Sequence, residues 1–466
     1  MMTALAPLIA LGTGAVLAMV LAPKAPAWAV RGVAGAAMAL AATLAALRLG
    51  LPAGPTAPIL VDDGLARFGI LISSLTGLAA LVWLRPAPPA REGPALMALA
   101  ALGGALLSGA THAAPFFIGL ELVTLALIAL FVLPLTRTAL EAGYKLLIMG
   151  GAGAASLLMG LAFFYAASGS LDLAGWAPLP QLRGDPLMAV GTGFLLAGLA
   201  FKFALVPFHM WAPDGFQGAP AGAAAFAGAA SKAVVAIALV RLADVGLPEP
   251  VWSGGLMLLG AASILLGNFL ALRQDSITRM LGYSSIAHSG YIAVLVASGL
   301  AAPEAVPYYL MAYAPALLAV LCVAARLGTD PQIQDLRGLG WARPLSGAAL
   351  TLGLISLAGL PAVAGFIAKI YLFVAILAAA DWISVAAALI GSALGFYYYL
   401  RFVVMIWRRL APGTETPHYP VQEAPAAPVP NLPLAETVVL LAASALMLAA
   451  GLYPAPFTDL LATLGP

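Results

Sequence analysis

The stretch Gly198–Pro220, GLAFKFALVPFHMWAPDGFQGAP, puts one lysine, Lys202, inside an apolar run that begins near Leu187. Five residues later Pro207 removes a backbone N–H and crowds the preceding turn, which predicts a broken or kinked helix. A charge in hydrocarbon costs at least ~2.5–3.5 kcal/mol on insertion scales, so such a residue faces a cavity or a partner rather than lipid. Lys202 lies too many turns from either end of its run to snorkel easily. An interrupted membrane helix with a buried ionisable group is the pattern expected where ions or protons cross.

The rest of the chain has the composition such a helix needs. Of its 466 residues 63% are hydrophobic and only 9% charged, against roughly 25% charged in an average soluble domain. Apolar runs of about 20 residues recur, each long enough for ~30 Å of hydrocarbon, where a β-barrel would show short alternating segments. The class is therefore all-α integral membrane, with no strand-like segments. A net charge of +2 points to no nucleic acid and no acidic partner. Cys322 is the only cysteine, which excludes a disulfide framework and a cysteine-ligated iron–sulfur cluster. No glycine-rich dinucleotide fingerprint follows a strand, and no cofactor or metal is expected in this chain. The first 22 residues lack a basic n-region and read as a membrane helix rather than a signal peptide.

Hydropathy and breakers give fourteen spans: 4–22, 27–47, 65–84, 94–110, 113–133, 140–166, 186–210, 220–241, 251–272, 277–298, 303–327, 343–380, 382–407 and 433–453. The longest connections are 167–185 and the Pro-rich Ala411–Pro433. Loops from odd to even spans carry Lys24, Arg31, Arg85, Arg91, Arg137, Arg273, Arg279, Arg326, Arg337, Arg343, Arg408 and Arg409. The other loops and helix ends carry only Arg48, Arg67, Arg183 and Arg241. Positive charge marks the cytoplasmic side, so both termini are expected outside. The remaining cations, Lys145, Lys202, Lys232, Lys369 and Arg401, fall within spans, and four of the chain's five lysines are among them.

The span 343–380 is too long for one straight crossing, and Pro361 interrupts it in ISLAGLPAVAGFIAKIY. Broken helices thus occur seventh and twelfth, five spans apart, and must run in opposite directions. That spacing predicts two inverted five-helix repeats, 94–241 and 251–407, after helices at 4–84 and before a last helix at 433–453. Glu121, in FFIGLELVTLAL, is the only carboxylate well inside a span. A glutamate beside Lys202 would hold both ionised, and separation would make the lysine a group that releases its proton; a fixed ion pair tying two helices is the plainer alternative. Lys145, near a cytoplasmic helix end, is expected to snorkel, and Arg401, two turns from its cytoplasmic end, either snorkels or stays inside. Lys232 lies in AFAGAASKAVVAIAL, among small residues that leave room for close packing or water. His288, in YSSIAHSGYIAV, is either a hydrogen-bonded packing residue or a relay. Lys369 follows the second break and should lie toward the outside. Glu121, Lys202, Lys232, His288 and Lys369 can form a polar chain through the middle of the protein.

These residues carry a resemblance. ELVTL, EAGYKLL, ASGSLDL, GLAFKFALVPFHMWAPDGFQGAP, SKAVVAIALVRL, GYSSIAHSGY, LAGLPAVAGFIAKIY and GFYYYLRF together resemble the antiporter-like subunit N family of respiratory NADH:quinone oxidoreductase (complex I), over spans 3 to 13. The related subunits M and L and the multisubunit Na⁺/H⁺ antiporters carry HTWLPDAH where this chain has His209–Gln217, and subunit M has a glutamate at the place of Lys369. The resemblance implies fourteen helices in two inverted repeats, in a bacterial inner membrane, with a mid-plane proton path. It places that path's glutamate on Glu121 and its lysines on Lys145, Lys202, Lys232 and Lys369. It also implies neighbouring subunits M and K in the lipid bilayer, with FMN, iron–sulfur clusters and quinone held by other subunits. Gly215 and Phe216 stand where Val-Tyr is usual, which puts no site in doubt.

A cation/proton antiporter subunit is the alternative function. Its Na⁺ would need buried acceptors, and the sequence offers one buried glutamate and no buried aspartate. A structural spacer would tolerate loss of the buried lysines.

Overall fold

The computed structural model describes residues 2–84, 91–177, 185–249, 251–409 and 432–464. Arg85 and Arg183, two of the charges weighed for orientation, and nearly all of the Pro-rich connection Ala411–Pro433 lie outside the described residues. Helices α1 (Met2–Leu21) and α2 (Ala27–Leu47) lead into an antiparallel hairpin, β1 (Gly54–Ala57) and β2 (Leu60–Asp62). Next come α3 (Gly64–Trp83), α4 (Gly93–Ser108), α5 (Ala113–Val132) and α6 (Arg137–Ser168). The first broken unit is α7 (Pro186–Phe203) with α8 (Trp211–Gly218). It is followed by α9 (Ala221–Phe226) and α10 (Lys232–Val245), joined through a π-helical stretch, Ala227–Ser231. Then α11 (Val251–Ala271), α12 (Ile277–Ala297) and α13 (Ala305–Leu327) precede the short α14 (Leu339–Ala342). The second broken unit is α15 (Pro344–Ala358) with α16 (Ala364–Ala378), and α17 (Trp382–Trp407), α18 (Leu434–Leu452) and α19 (Ala455–Ala462) follow.

Twelve helices are long and apolar enough to cross a membrane, and Gly93–Ser108, Pro344–Ala358 and Ala364–Ala378 are shorter apolar helices. Lipid can cover most of α1, α2, α6 and α18, whose outward faces carry exposed Val16, Val20, Leu147, Ile148 and Leu441. In contrast α12 and the 221–245 helix are 94% buried, so both are walled by protein. Around α12 pack α8, α10, α11, α13, α16 and α17.

The helices break where the sequence puts its punctuation. α7 stops at Phe203, Ala204 turns left-handed with φ 57°, and the Val206–Pro207 peptide is cis. In the second unit Gly359 takes φ 77°, which glycine adopts without a Cβ penalty. Gly365 is required by space instead: a Cβ there would lie 1.8 Å from the Ser356 carbonyl oxygen.

Two expectations fail here. The hairpin at residues 54–62 is strand where none was expected: its residues lie between spans, where hydropathy carries no signal. The chain also buries more carboxylates than the one glutamate and no aspartate expected. Asp62, Asp63 and Glu436 are 7%, 5% and 3% exposed, while Glu121 keeps 19% of its side chain accessible. Each of the three buried acids is tied to an arginine that had been counted at a loop or helix end. Arg67 donates Nε to Asp62 Oδ1 at 2.8 Å and Nη2 to Oδ2 at 3.0 Å, and it reaches the carbonyls of Arg48, Leu51 and Pro52. Arg241 is bidentate on Asp63 at 2.7 and 2.9 Å, and Asp63 also caps α3 by accepting from Ala66 N. Arg326 pairs with Glu436. These ties fasten α3 and the hairpin to α10, and α13 to α18.

Because Arg67 is 2% exposed, its removal would strand a buried carboxylate and several carbonyls, a loss of about 3–5 kcal/mol. Arg67→Ala is therefore expected to prevent accumulation of the protein in membranes, read by immunoblot. A wild-type level would show that the knot is dispensable.

Candidate proton-transfer site

The broken seventh helix aims Lys202 inward. Its ammonium, on a side chain 4% exposed, donates to Glu121 Oε1 of α5 at 2.6 Å and to Thr124 Oγ1 one turn further along α5 at 2.6 Å. The break itself is satisfied by other groups. Trp211 Nε1 donates to the Phe201 carbonyl at 3.1 Å, which also accepts from Ala204 N–H at 3.0 Å, and Val206 N–H donates to Ser263 Oγ of α11 at 2.8 Å. Lys202 is thus free of backbone duty and faces one carboxylate and one hydroxyl.

Lys232 begins α10 directly after the π-helical stretch, a local irregularity of the kind found at functional sites. Nothing in the run AGAAS signals it, since the small residues there also suit an ordinary helix. The lysine is 1% exposed and has no carboxylate partner among the described residues. It donates to the Ser285 carbonyl at 2.6 Å and to Ser289 Oγ at 2.7 Å, both on α12. His288 sits on the same helix between those two serines. Its Nδ1 lies 2.8 Å from the Tyr309 hydroxyl of α13, and its Nε2 lies 3.4 Å from the Tyr399 hydroxyl of α17. Sequence reading missed both tyrosines, which lie on helices distant in the chain.

Lys369, on α16, donates to the Ala358 carbonyl at 2.7 Å, a group that the second helix break frees. Its ammonium stands 5.5 Å from the centre of the Tyr291 ring. His288 and Lys369, with Tyr309, Tyr313 and Ser356, line one cavity of about 10 Å³, at the lower bound for a single water. The structure therefore brings Lys232, Ser289, His288 and Lys369 together, and Lys202 with Glu121. No direct hydrogen bond joins the two groups among the described residues.

Lys145 and Arg401 are both held in ion pairs. Lys145 donates to Glu141 Oε1, one turn earlier, and to Asp214 Oδ2 of α8, both at 2.6 Å. Asp214 also accepts from Arg279 Nη1 at 2.7 Å, so it links α6 to α12. Its distance along the chain from Lys145 hid the pairing. Arg401 reaches Asp275 Oδ1 at 2.8 Å and the Leu272 and Gln274 carbonyls, which close the loop between α11 and α12.

The chain as a whole has known counterparts. A family model for the NADH:quinone oxidoreductase/Mrp antiporter transmembrane region matches residues 110–395. The chain belongs to that family. NADH-quinone oxidoreductase subunit N of Cereibacter sphaeroides is 54% identical over 452 residues, spanning 97% of this chain and 96% of the relative. Subunit N of Rhodopseudomonas palustris is 57% identical over 404 residues, spanning 86% and 87%. A chain of respiratory complex I from Thermus thermophilus, solved with bound aureothin, has 34% identity and a TM-score of 0.86 over 98% of this chain and 100% of its own length. The match carries the resemblance to subunit N through the whole length of the chain.

The Lys202–Glu121 contact yields a sharp comparison. An amide at residue 121 can still accept the lysine's hydrogen bond but brings no charge. At 2.6 Å and with so little water, the charge is the larger part of the interaction. Glu121→Gln and Glu121→Ala are therefore expected to lower coupled proton pumping alike, each about tenfold, in inverted membrane vesicles. Wild-type pumping by the Gln variant would leave only a packing role for Glu121.

Proposed function

We propose that this chain moves protons across the membrane as subunit N of NADH:quinone oxidoreductase, through Glu121 and Lys202 in one half and Lys232, His288 and Lys369 in the other. The observation that carries the reading is chemical: three buried lysines sit beside helix breaks or a π-helical stretch, and among the described residues only Lys202 of the three has a carboxylate partner. A buried lysine can give up its proton, whereas an arginine cannot at any physiological pH. Lys232 hands to Ser289 and His288 along α12, and the small cavity between His288 and Lys369 offers the step to the second broken helix. Lys145, held in a partly exposed cluster with Glu141 and Asp214, has the weaker claim to the path.

The enzyme here is the whole translocating complex. With one cysteine in the chain, redox chemistry belongs to other subunits, and its energy reaches these lysines through neighbours, for which subunits M and K are proposed. The twelve long spans, with Gly93–Ser108 and the broken α15–α16 pair as one crossing each, support fourteen crossings. Two breaks five crossings apart support the pair of inverted repeats, and the cation count supports both termini on the periplasmic side of a bacterial inner membrane. The Na⁺/H⁺ alternative gains nothing from the additional buried carboxylates, because Asp62, Asp63 and Glu436 are each occupied by an arginine.

Lys202→Ala is expected to lower quinone reduction and proton pumping together by at least about tenfold in an assembled complex. Lys202→Arg should fail in part, because it keeps the charge and loses the proton exchange. Intact coupled activity in the alanine variant would remove Lys202 from the path.

Lys369 is the proposed release group on the outer side. Lys369→Ala should slow turnover about tenfold, while Lys369→Glu should keep a measurable share, since a protonated glutamate can still donate to the Ala358 carbonyl. Alanine and glutamate variants of equal activity, in NADH-driven pumping assays, would mean that a titratable group is not what this position supplies.

A further inference from the structure

A recess of about 590 Å³ opens where α2 and α3 meet α13 and α18, far from the lysine path. Arg31, Arg326 and Glu436 stand at its polar end, and Leu78, Leu81 and Val82 form an apolar wall. Arg326 is already spent on Glu436. Arg31 is not fully used: it reaches the Leu84 carbonyl with Nη2, and its Nε is buried without a partner among the described residues. A guanidinium donor that is desolvated and unpaired calls for an acceptor. All four helix ends lie on one side of the molecule, the side that the cation count assigns to the cytoplasm.

We infer that this recess holds the headgroup of an anionic phospholipid, its phosphate against Arg31 and one acyl chain along Leu78, Leu81 and Val82. The charge selects an anion, because among the described residues Arg31 is the cation of this recess without a carboxylate of its own. The apolar wall selects a ligand with a hydrocarbon tail, which free phosphate lacks. The depth is right as well, since a basic pocket between helices at the cytoplasmic level is where lipid headgroups are held. The site would pin the first three helices to α13 and α18, which otherwise meet through the packing of α3 on both.

The test is photolabelling of the intact complex in nanodiscs with diazirine-bearing phosphatidylglycerol or phosphatidylcholine, mapped by peptide mass spectrometry. Phosphatidylglycerol is expected to label the α3 segment that holds Leu78–Val82 about tenfold more than phosphatidylcholine does. Arg31→Gln should remove that preference, while labelling of the lipid-facing side of α6 stays unchanged as the internal reference. Gly35 offers a second variant that leaves the charge alone. A Cβ at Gly35 meets Leu81 and Leu78 only at 3.8 and 3.9 Å, so Gly35→Leu fits at its base and fills the recess. It should abolish the labelling too. Equal labelling by the two lipids, or wild-type labelling in Arg31→Gln, would overturn the assignment. So would undiminished labelling in Gly35→Leu, or a cross-link showing protein seated in the recess.

Discussion

A helix broken inside hydrocarbon exposes backbone groups that no water can satisfy, each at a cost of several kcal/mol. Every feature of the two broken units answers to that cost. At the first break the indole of Trp211 takes the Phe201 carbonyl, and Ser263 takes the Val206 N–H. At the second, Ser356 Oγ accepts from Gly365 N–H at 3.3 Å, and Lys369 takes the Ala358 carbonyl. The two lysines beside the breaks are therefore not equivalent. Lys202 is excused from backbone duty and answers to Glu121, whereas Lys369 is itself the group that completes its break. Loss of the proton from Lys369 would leave one of its remaining N–H bonds for that carbonyl, so the break can stay satisfied in both protonation states. A permanent cation is not needed there.

Buried charge in this protein divides by chemistry. Arg67, Arg241 and Arg326 are paired with Asp62, Asp63 and Glu436 at helix ends, in geometries that use the planar fork of the guanidinium. Such pairs fix helices and exchange no proton. The lysines deeper in the structure meet hydroxyls and carbonyls, and one carboxylate. Ser289 and Thr124 accept from the lysines while their own O–H groups donate to the Ser285 and Leu120 carbonyls, and a neutral lysine keeps N–H groups for the same acceptors. Structure is held by arginine, and in the proposed function transfer is left to lysine.

Much of this was legible in the chain. Pro207 and Pro361 located both breaks, and a composition that avoids charge made each internal lysine conspicuous. What escaped the sequence was pairing across the fold. Arg67 and Arg326 lie at the ends of apolar runs, where a charge ordinarily meets water, and only the hairpin and α18 reveal that they are covered. Lys145 reads as a snorkelling residue until α8 brings Asp214 beside it. The tyrosines around His288 look like ordinary membrane aromatics until α12, α13 and α17 converge on it. The π-helical stretch before Lys232 has no local signature, because alanine and glycine accept either helix.

The position of α12 explains why the polar route does not destabilise the bundle. Ser285, His288 and Ser289 lie within four residues of one another on this helix, so they share its face. The helices that bring Lys232, Tyr309, Lys369 and Tyr399 to it are four different elements. Were α12 at the lipid boundary, those polar groups would need water that the bilayer cannot provide. Because it is enclosed by protein, the Ser285 carbonyl, the Ser289 hydroxyl and both ring nitrogens of His288 meet partners on other helices, which offsets most of the cost of burial. In the proposed function the same enclosure limits proton exchange to the groups on that face. Under the same proposal α12 is a route between the two parts of the chain, because it packs against α8 and α10, which precede it, and against α13, α16 and α17, which follow it.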